Sequence, residues 1–338
     1  MFIVMKPTSS SRDLEQVQEC LTRMQAVGNV SARQPRPVIE VLGAGPGFDR
    51  SRLQNLPAVE RILDDPAQIF AVASESAIQT LAVPLGPRAV IGGRRIAVIA
   101  GPCSVEDEGR LLETALAAAE AGAVALRGGA FKPRTSPYSF QGLGQRGLEM
   151  LGRVREKTGL AVVTEVMSID DLDCVRACAD LLQVGSRNMH NTPLLKAVGS
   201  QDKPVLLKRG WSATLEEFLS AAEYVRQAGN PNVVLCERGI RTFEDYVRNT
   251  LALAVVPEVK RISNLPIIVD PSHGTGRAHL VAPMCRAAVA CGADGLLIEV
   301  HPEPARAWSD GRQSLSLDEF RNLMGQLKAL AATCGREL

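Results

Sequence analysis

Short apolar runs alternate with amphipathic stretches along the chain from residue 96 onward. Such runs, separated by segments of helical period, are typical of parallel strands joined by helices. The pattern predicts eight strands, at residues 97–100, 124–127, 161–165, 181–184, 204–208, 233–237, 267–270 and 295–299. Eight repeats of this kind predict a (β/α)8 TIM barrel over residues 95–338.

The first 65 residues have a different pattern. Strands are predicted at residues 2–6, 29–32, 38–43 and 58–63, with helices at 9–27 and 51–56. This βαββαβ order is that of a small ferredoxin-like domain. Because the segment contains no histidine and no catalytic set of carboxylates, we expect it to sense a ligand or to contact another subunit. Residues 66–94 are interpreted as a linker followed by a short strand pair at the bottom of the barrel.

Composition narrows the class of protein. The formal net charge of +1 gives no reason to expect a nucleic acid or an acidic membrane as a partner. No apolar run approaches the ~20 residues of a membrane helix, and the first residues lack the features of a signal peptide, so we expect a cytoplasmic protein. The eight cysteines are scattered along the chain. Cys174 and Cys178, one helical turn apart, are interpreted as packing residues and not as a metal clamp.

An ionisable side chain lies at or just after the end of every predicted barrel strand. In strand order these are Cys103, Arg127, Glu165, Arg187, Lys208, Glu237 with Arg238, Asp270 with His273, and Glu299. Barrel enzymes place their chemistry at this C-terminal face. A purely structural barrel would have a mixture of turn residues there, so the pattern predicts an active site.

Many of these side chains are cationic. The glycine- and proline-rich loop 127–144 adds further cations and hydroxyl groups, a composition suited to holding anions. A solvated basic turn is the alternative interpretation of this loop alone. The cations expected to converge on the mouth are Arg127, Lys132, Arg134, Arg187, Lys208 and Arg238. They would repel one another without bound anions, so we expect a ligand with several negative charges.

A second set offers metal ligands. Cys103, His273, Glu299 and the downstream Asp310 supply one sulfur, one nitrogen and two carboxylates, a set suited to Mn, Fe, Co or Zn. Singly, His273 and Asp310 are also compatible with turn positions. Together they would be neighbours around a closed barrel, so a divalent metal site is predicted, with the Cys103 sulfur exposed. His301 is expected near this site.

Several long motifs carry a family resemblance. They occupy residues 100–104, 126–142, 184–188, 206–210, 236–243, 269–274 and 299–304. The chain resembles the type I beta 3-deoxy-D-arabino-heptulosonate 7-phosphate (DAHP) synthases over nearly its whole length. The resemblance implies a transferase that condenses phosphoenolpyruvate with erythrose 4-phosphate and water, the first step of the shikimate pathway to aromatic amino acids.

The resemblance also implies roles for individual residues. Cys103, His273, Glu299 and Asp310 would bind the divalent metal. Phosphoenolpyruvate would be held by Arg127, Lys132, Arg187, Lys208 and Arg238. Erythrose 4-phosphate would be received by Lys132, Pro133, Arg134, Thr135 and Ser136. Lys132 is a candidate for protonating the alkoxide, and Glu165 for orienting the attacking water.

Alternatives remain at this stage. The rival barrel family, 3-deoxy-D-manno-octulosonate 8-phosphate synthase, uses arabinose 5-phosphate. Its members have a sequence similar to Lys-Ala-Asn-Arg-Ser at the position where this chain has Lys-Pro-Arg-Thr-Ser, residues 132–136. A non-catalytic phosphate-binding sensor would be expected to lack a ligand or a lysine. The family counterpart of the N-terminal domain implies feedback inhibition by tyrosine or phenylalanine, with oligomerisation as the alternative role, and a homotetramer.

Overall fold

The computed structural model describes residues 1–31, 37–45, 48–64, 79–86, 89–134 and 136–338. The chain divides into two compact units, Met1–Gln79 with Val259–Asn264, and Thr80–Glu258 with Leu265–Leu338. Part of the predicted linker 66–94 lies outside the described residues.

The N-terminal unit contains a four-stranded antiparallel sheet. Its elements, in chain order, are β1 (Phe2–Met5), a helix (Ser11–Arg23), β2 (Val27–Ser31), β3 (Val38–Leu42), a helix (Arg50–Gln54) and β4 (Val59–Leu63). The strand order β2-β3-β1-β4, with antiparallel neighbours throughout, is the ferredoxin-like arrangement. The prediction for this domain's fold is therefore confirmed.

The first helix of this unit shows what determines its bounds. The Ser10 side chain accepts a hydrogen bond from the Asp13 N–H and the Asp13 carboxylate accepts one from the Ser10 backbone, which forms a capping box. The helix ends at Arg23, and Gln25 has a φ of 58°. The predicted helix 9–27 was thus too long at both ends. Val17 and Leu21 are its fully buried residues and join the core under the sheet.

The second unit is a closed barrel of eight parallel strands, in which each strand is bonded to the next in chain order. The strands are β7 (Ala97–Gly101), β8 (Ala125–Arg127), β9 (Ala161–Glu165), β10 (Leu181–Val184), β11 (Val205–Lys208), β12 (Val233–Glu237), β13 (Ile267–Val269) and β14 (Gly295–Glu299). Each agrees with its predicted bounds to within one residue, and the predicted (β/α)8 barrel is confirmed. Pro204 stays outside β11, consistent with its missing N–H donor.

Helices follow the strands around the barrel. The described ones are Glu108–Glu120, Gln145–Thr158, Leu172–Cys178, Thr192–Gly199, Leu215–Gln227, Val255–Ile262, the short Pro271–Thr275, Ala278–Ala290 and Leu317–Thr333. Capping boxes begin two of them, at Thr214 and Ser316. Each of these two capping boxes fixes where its helix starts and therefore how long the preceding loop is.

The barrel interior is apolar below and polar above. Successive inward positions along β9 are Ala161, Val163 and then Glu165, the first two in the buried apolar cluster. The same two-residue step leads from Leu181 to Gln183 on β10, and similar steps end at Arg127, Lys208, Arg238, Asp270 and Glu299. Strand periodicity thus carries a ring of polar side chains to the upper end of the core.

A short hairpin packs into the lower end of the barrel. It consists of β5 (Val83–Leu85) and β6 (Ala89–Ile91). Val83, Leu85 and Ile91 are fully buried or nearly so and belong to the same apolar cluster as the lower interior residues. The hairpin therefore extends the core at the end opposite the polar ring.

None of the helices in the described residues combines the length and hydropathy needed to span a bilayer.

The interior cluster should dominate the stability of the barrel. Replacing Leu206, which is fully buried in that cluster, by alanine should lower the free energy of unfolding by about 2–5 kcal/mol because it leaves a cavity. The matched change Leu116→Ala removes a side chain that is 52% exposed and should cost less than about 1 kcal/mol. Urea denaturation of both variants measures the difference, and equal losses would contradict this assignment of the core.

Candidate active site at the mouth of the barrel

Four potential metal ligands meet at the upper end of the barrel. One ligand atom from each of Cys103, His273, Glu299 and Asp310 lies within 4.8 Å of the other three. The Cys103 thiol contacts the Asp310 Oδ2 at 3.1 Å, and His273 Nε2 lies 3.2 Å from Glu299 Oε1. Separations of this size fit donors arranged around one ion with bonds of about 2.0–2.3 Å. The predicted ligand set is therefore brought together.

The thiol of this cluster is buried. The prediction of an exposed sulfur was wrong: Cys103 is 2% exposed, because Asp310 in the loop after β14 packs directly against it. Burial, and next the Glu299 carboxylate, raise the pKa of the Cys103 thiol to about 11. A divalent cation beside the sulfur would reverse that shift and favour the thiolate.

The imidazole of His273 is oriented by a neighbouring carboxylate. Asp270 Oδ2 lies 2.7 Å from His273 Nδ1 and 2.6 Å from Lys208 Nζ, and Asp270 Oδ1 accepts a hydrogen bond from the His273 N–H. Burial lowers the pKa of His273, which favours the neutral ring. With Nδ1–H donated to Asp270, the Nε2 lone pair faces the Glu299 oxygen, an arrangement that a cation between them stabilises.

Two further carboxyl groups are held ionised. Burial opposes the charge of Asp270, but His273 and Lys208 keep its pKa well below the usual range. Burial likewise opposes the charge of Asp310, yet His273 and then Arg248 bring its pKa to about 2. Ionised carboxylates beside a neutral imidazole are the protonation states in which these groups bind metal.

The predicted mutual repulsion of the cations is only partly correct, because the protein neutralises several of them. Arg127 Nη1 lies 2.7 Å from Glu299 Oε1, and Lys208 is paired with Asp270. Lys132 Nζ donates to the Cys103 carbonyl at 3.0 Å. Within the described part of the chain, Arg134, Arg187 and Arg238 form no ion pair with a carboxylate. The charge without a carboxylate partner therefore lies at these three guanidinium groups and at the Lys132 ammonium, whose partner is a neutral carbonyl.

Unpartnered nitrogen atoms point to an anionic ligand. Arg127 Nε, Arg134 Nη2 and Arg238 Nη1 are buried and have no hydrogen-bond partner among the described residues. Buried donors without partners cost free energy, and a phosphate or carboxylate oxygen would satisfy them. These residues line one cavity of about 300 Å³, together with Lys132, Pro133, Ser136, Ser139, Glu165, Gln183, Gly185, Ser186, Arg187, Lys208, Trp211, Arg248, His273 and Asp310.

The loop after β8 forms one wall of this cavity. Arg134 Nε donates to the Phe140 carbonyl at 2.9 Å, which folds the loop back on itself. The Phe140 ring packs edge-on against Trp308, with ring centroids 5.0 Å apart, and thereby contacts the loop that carries Asp310. Thr135, a predicted phosphate ligand, lies outside the described residues.

Other predicted residues also have defined positions. Glu165 accepts a hydrogen bond from Gln183 Nε2 at 3.1 Å, and a Cβ at Gly185 would clash with its Oε1, so this glycine makes room for the carboxylate. His301 is buried near the cluster, with Nε2 3.4 Å from Glu106. Glu237 lies away from the cavity lining and pairs with Arg209 at 2.9 Å.

Sequence reasoning missed several residues of the site. Gln313 donates to Glu299 Oε2 at 2.6 Å, and Arg248 contacts both Gln313 and Asp310. Gln183 and Trp211 line the cavity. Gln183 was detectable, because it occupies the inward position after Leu181, whereas nothing in the local sequence distinguishes Arg248 or Gln313.

Comparison with known proteins finds relatives that match nearly the whole chain. The profile of the DAHP synthetase I family matches residues 75–333. A phospho-2-dehydro-3-deoxyheptonate aldolase of Thermotoga maritima is 46% identical over 335 residues, which cover 99% of each chain. A 2-dehydro-3-deoxyphosphooctonate aldolase of Syntrophotalea carbinolica is 33% identical and covers 71% of this chain and 92% of its own.

Solved structures give the same result. The crystal structure of the Thermotoga maritima aldolase, a DAHP synthase, aligns with a TM-score of 0.77 at 44% identity, covering 99% of this chain and 98% of that chain. A truncated form of the synthase from the same organism aligns with a TM-score of 0.73 at 47% identity, covering 80% of this chain and 99% of that chain. The chain therefore belongs to the DAHP synthetase I family.

Proposed function

We propose that this chain is a DAHP synthase, which joins phosphoenolpyruvate to erythrose 4-phosphate with water and releases phosphate. The observation that carries the proposal is one cavity in which a four-donor metal cluster adjoins unpartnered guanidinium nitrogens. A condensation of two phosphorylated substrates at an aldehyde needs both features. The 46% identical Thermotoga relative bears the corresponding name.

Phosphoenolpyruvate is assigned to the deep part of the cavity. Its carboxylate and phosphate require several donors, and the proposed set is Arg127, Lys132, Arg187, Lys208 and Arg238. The burial of Arg127, Lys132, Lys208 and Arg238 supports this assignment, since low solvent exposure strengthens each charge-assisted hydrogen bond.

Erythrose 4-phosphate is assigned to the loop after β8. Lys132, Pro133, Arg134, Thr135 and Ser136 would receive it, with Arg134, Thr135 and Ser136 at the phosphate. The unpartnered Nη2 of Arg134 and the position of Pro133, Arg134 and Ser136 in the cavity wall support this assignment.

A divalent metal, Mn, Fe, Co or Zn, is proposed to be held by Cys103, His273, Glu299 and Asp310, where it would polarise the aldehyde oxygen. C3 of phosphoenolpyruvate attacks the aldehyde carbon, water adds to C2, and the C2–O bond to phosphate breaks with its electron pair leaving on phosphate. Arg187 and Arg238 stabilise the charge on the departing phosphate.

Two residues of the chain are proposed to handle protons. Lys132, anchored to the Cys103 carbonyl, donates a proton to the oxygen of the former aldehyde. Glu165, whose Oε2 is held by Gln183, orients the water through its other oxygen. Single-turnover rates of Lys132→Met and Glu165→Gln test these two roles.

The substrate assignment predicts a preference. Metal-loaded protein should consume phosphoenolpyruvate with erythrose 4-phosphate at a kcat/KM at least about a hundredfold above that with arabinose 5-phosphate, because the sequence Lys-Pro-Arg-Thr-Ser at residues 132–136 resembles the enzymes that use the four-carbon sugar. A chelated sample of the same protein should lose both activities. Preference for the five-carbon sugar would instead support the octulosonate synthase reaction, and no turnover with either would favour a phosphate-binding sensor.

The metal assignment predicts the effect of removing the sulfur. Cys103→Ala should lower metal affinity by at least about a hundredfold and abolish most turnover, since one of the four donors is lost. Metal content after dialysis, measured by atomic spectroscopy, reports the loss directly. Cys174→Ala is the matched control, because Cys174 lies on the helix Leu172–Cys178, outside the cluster, and its thiol donates to the Asp171 carbonyl.

The protonation state of the thiol gives an independent check on the same assignment. Because the pKa of Cys103 is about 11, the thiol is protonated at pH 8, and metal binding should release about one proton from it. Calorimetric titration in two buffers of different ionisation enthalpy counts this proton. Full metal retention by Cys103→Ala would remove the sulfur from the ligand set.

The N-terminal ferredoxin-like domain, residues 1–65, is proposed to bind tyrosine or phenylalanine and to inhibit the barrel. Deleting residues 1–65 should leave kcat within about a factor of three and abolish inhibition by either amino acid, because the effector site is removed while the catalytic residues are retained. Initial rates with and without each amino acid measure this. Continued inhibition of the truncated protein would disprove the assignment, and loss of assembly alone would favour an oligomerisation role.

A homotetramer in the cytoplasm is proposed for the full chain. Sedimentation velocity measures the mass, and cell fractionation tests the location.

A further inference from the structure

Three arginine side chains surround the indole of Trp211. The guanidinium carbons of Arg241, Arg187 and Arg238 lie 4.7, 5.0 and 5.8 Å from the centre of this ring. All are within the ~6 Å range of a cation–π interaction. Trp211 is partly buried and lines the same cavity as Arg187 and Arg238, so its ring contacts two of the cations assigned to the substrate.

The backbone of Trp211 is fixed independently of these arginines' side chains. Its carbonyl accepts a hydrogen bond from the Arg241 N–H at 2.7 Å, which joins the loop after β11 to the loop after β12. A buried ion pair between Arg209 and Glu237, at 2.9 Å, joins the loop after β11 to the end of β12. Glu237 Oε1 also accepts from the Gly239 N–H at 2.6 Å, so the backbone around Trp211 is held by several hydrogen bonds.

The charges around the Trp211 ring explain why an aromatic side chain is useful at this position. Arg187 and Arg238 have no carboxylate partner in the described residues, in contrast to Arg127 and Lys208. Arg187 and Arg238 both lie within ~6 Å of the centre of one ring, and the repulsion between like charges favours conformations in which they move apart. The electron-rich face of an indole attracts each of them without neutralising the charge, which leaves their N–H groups available for an anion.

We propose that Trp211 is a positioning residue that holds Arg187 and Arg238 in the orientation that binds phosphoenolpyruvate. This inference rests on the proposed function for the identity of the anion. The aromatic ring fixes the two guanidinium groups before the anion arrives, so less conformational freedom is lost on binding. Erythrose 4-phosphate, assigned to the opposite loop, does not depend on this ring.

Substitution of Trp211 should weaken the binding of phosphoenolpyruvate and leave the binding of erythrose 4-phosphate nearly unchanged. In metal-loaded full-length protein, Trp211→Leu should raise the KM for phosphoenolpyruvate about tenfold, as expected from the loss of a partly desolvated cation–π interaction. The KM for erythrose 4-phosphate should change less than about twofold, and kcat should fall by a smaller factor than the KM rises. Trp211→Phe, which retains an aromatic face, should recover most of the affinity.

A matched control lies elsewhere on the barrel. Lys196 Nζ is 6.0 Å from the centre of the Tyr224 ring, and this pair connects the helices Thr192–Gly199 and Leu215–Gln227. Tyr224→Leu removes a cation–π interaction of the same kind outside the cavity and should leave both KM values unchanged. A thermal unfolding midpoint for each variant identifies any general loss of stability.

Direct binding makes the test independent of turnover. The chain contains two tryptophans, so in a Trp308→Phe background the emission of zinc-loaded protein reports Trp211 alone. Adding phosphoenolpyruvate without the sugar should shift that emission with a saturation curve. Calorimetry should give the same Kd, raised about tenfold in Trp211→Leu.

Each outcome bears on one proposal. Unchanged affinity for phosphoenolpyruvate in Trp211→Leu, or equal losses for both substrates with a lowered unfolding midpoint, would overturn the role of Trp211. If the wild-type protein binds phosphoenolpyruvate but never reacts it with erythrose 4-phosphate, the proposed function fails, while the calorimetric comparison still decides the role of Trp211.

Discussion

The buried ion pair between Arg127 and Glu299 is the interaction on which the mouth of the barrel depends. Its atoms are 2.7 Å apart and both side chains are almost fully buried. Burial of either charge alone would carry a large desolvation penalty. Glu299 belongs to the metal-type cluster and Arg127 to the cation-lined cavity, so the anionic and cationic halves of the site stabilise each other. Neither half is expected to keep its geometry without the other.

Much of the fold followed from the sequence because its signals are local. Short apolar runs between amphipathic stretches located all eight barrel strands. The two-residue step within each strand explains why Lys208 and Glu165 point inward above apolar residues. Helix bounds were less accurate, since a single cap such as Ser10 decides where a helix begins. The N-terminal strand order β2-β3-β1-β4 followed from the order of elements because few topologies satisfy it.

The sequence predicted which residues belong to the candidate site better than it predicted the contacts among them. Cys103, His273, Glu299 and Asp310 were grouped because their side chains suit a metal and would be neighbours around a closed barrel, yet the burial of Cys103 depends on a loop 207 positions away. The charge balance at Lys208 requires Asp270, which is 62 positions distant. Such pairings are set by barrel closure and by loop packing, for which a single sequence carries no direct signal. The stacking of arginines on Trp211 was missed for the same reason.

The hairpin at the lower end of the barrel affects how substrates and products enter and leave the active site. Among the described residues, Val83, Leu85 and Ile91 extend the apolar core at that end, so apolar side chains separate the polar cavity from the lower end of the barrel. Both substrates, the water and the departing phosphate would therefore share one passage. On the proposed assignment, inorganic phosphate that has not yet diffused away would occupy the same guanidinium groups as the next molecule of substrate, so escape of the product would compete directly with renewed binding.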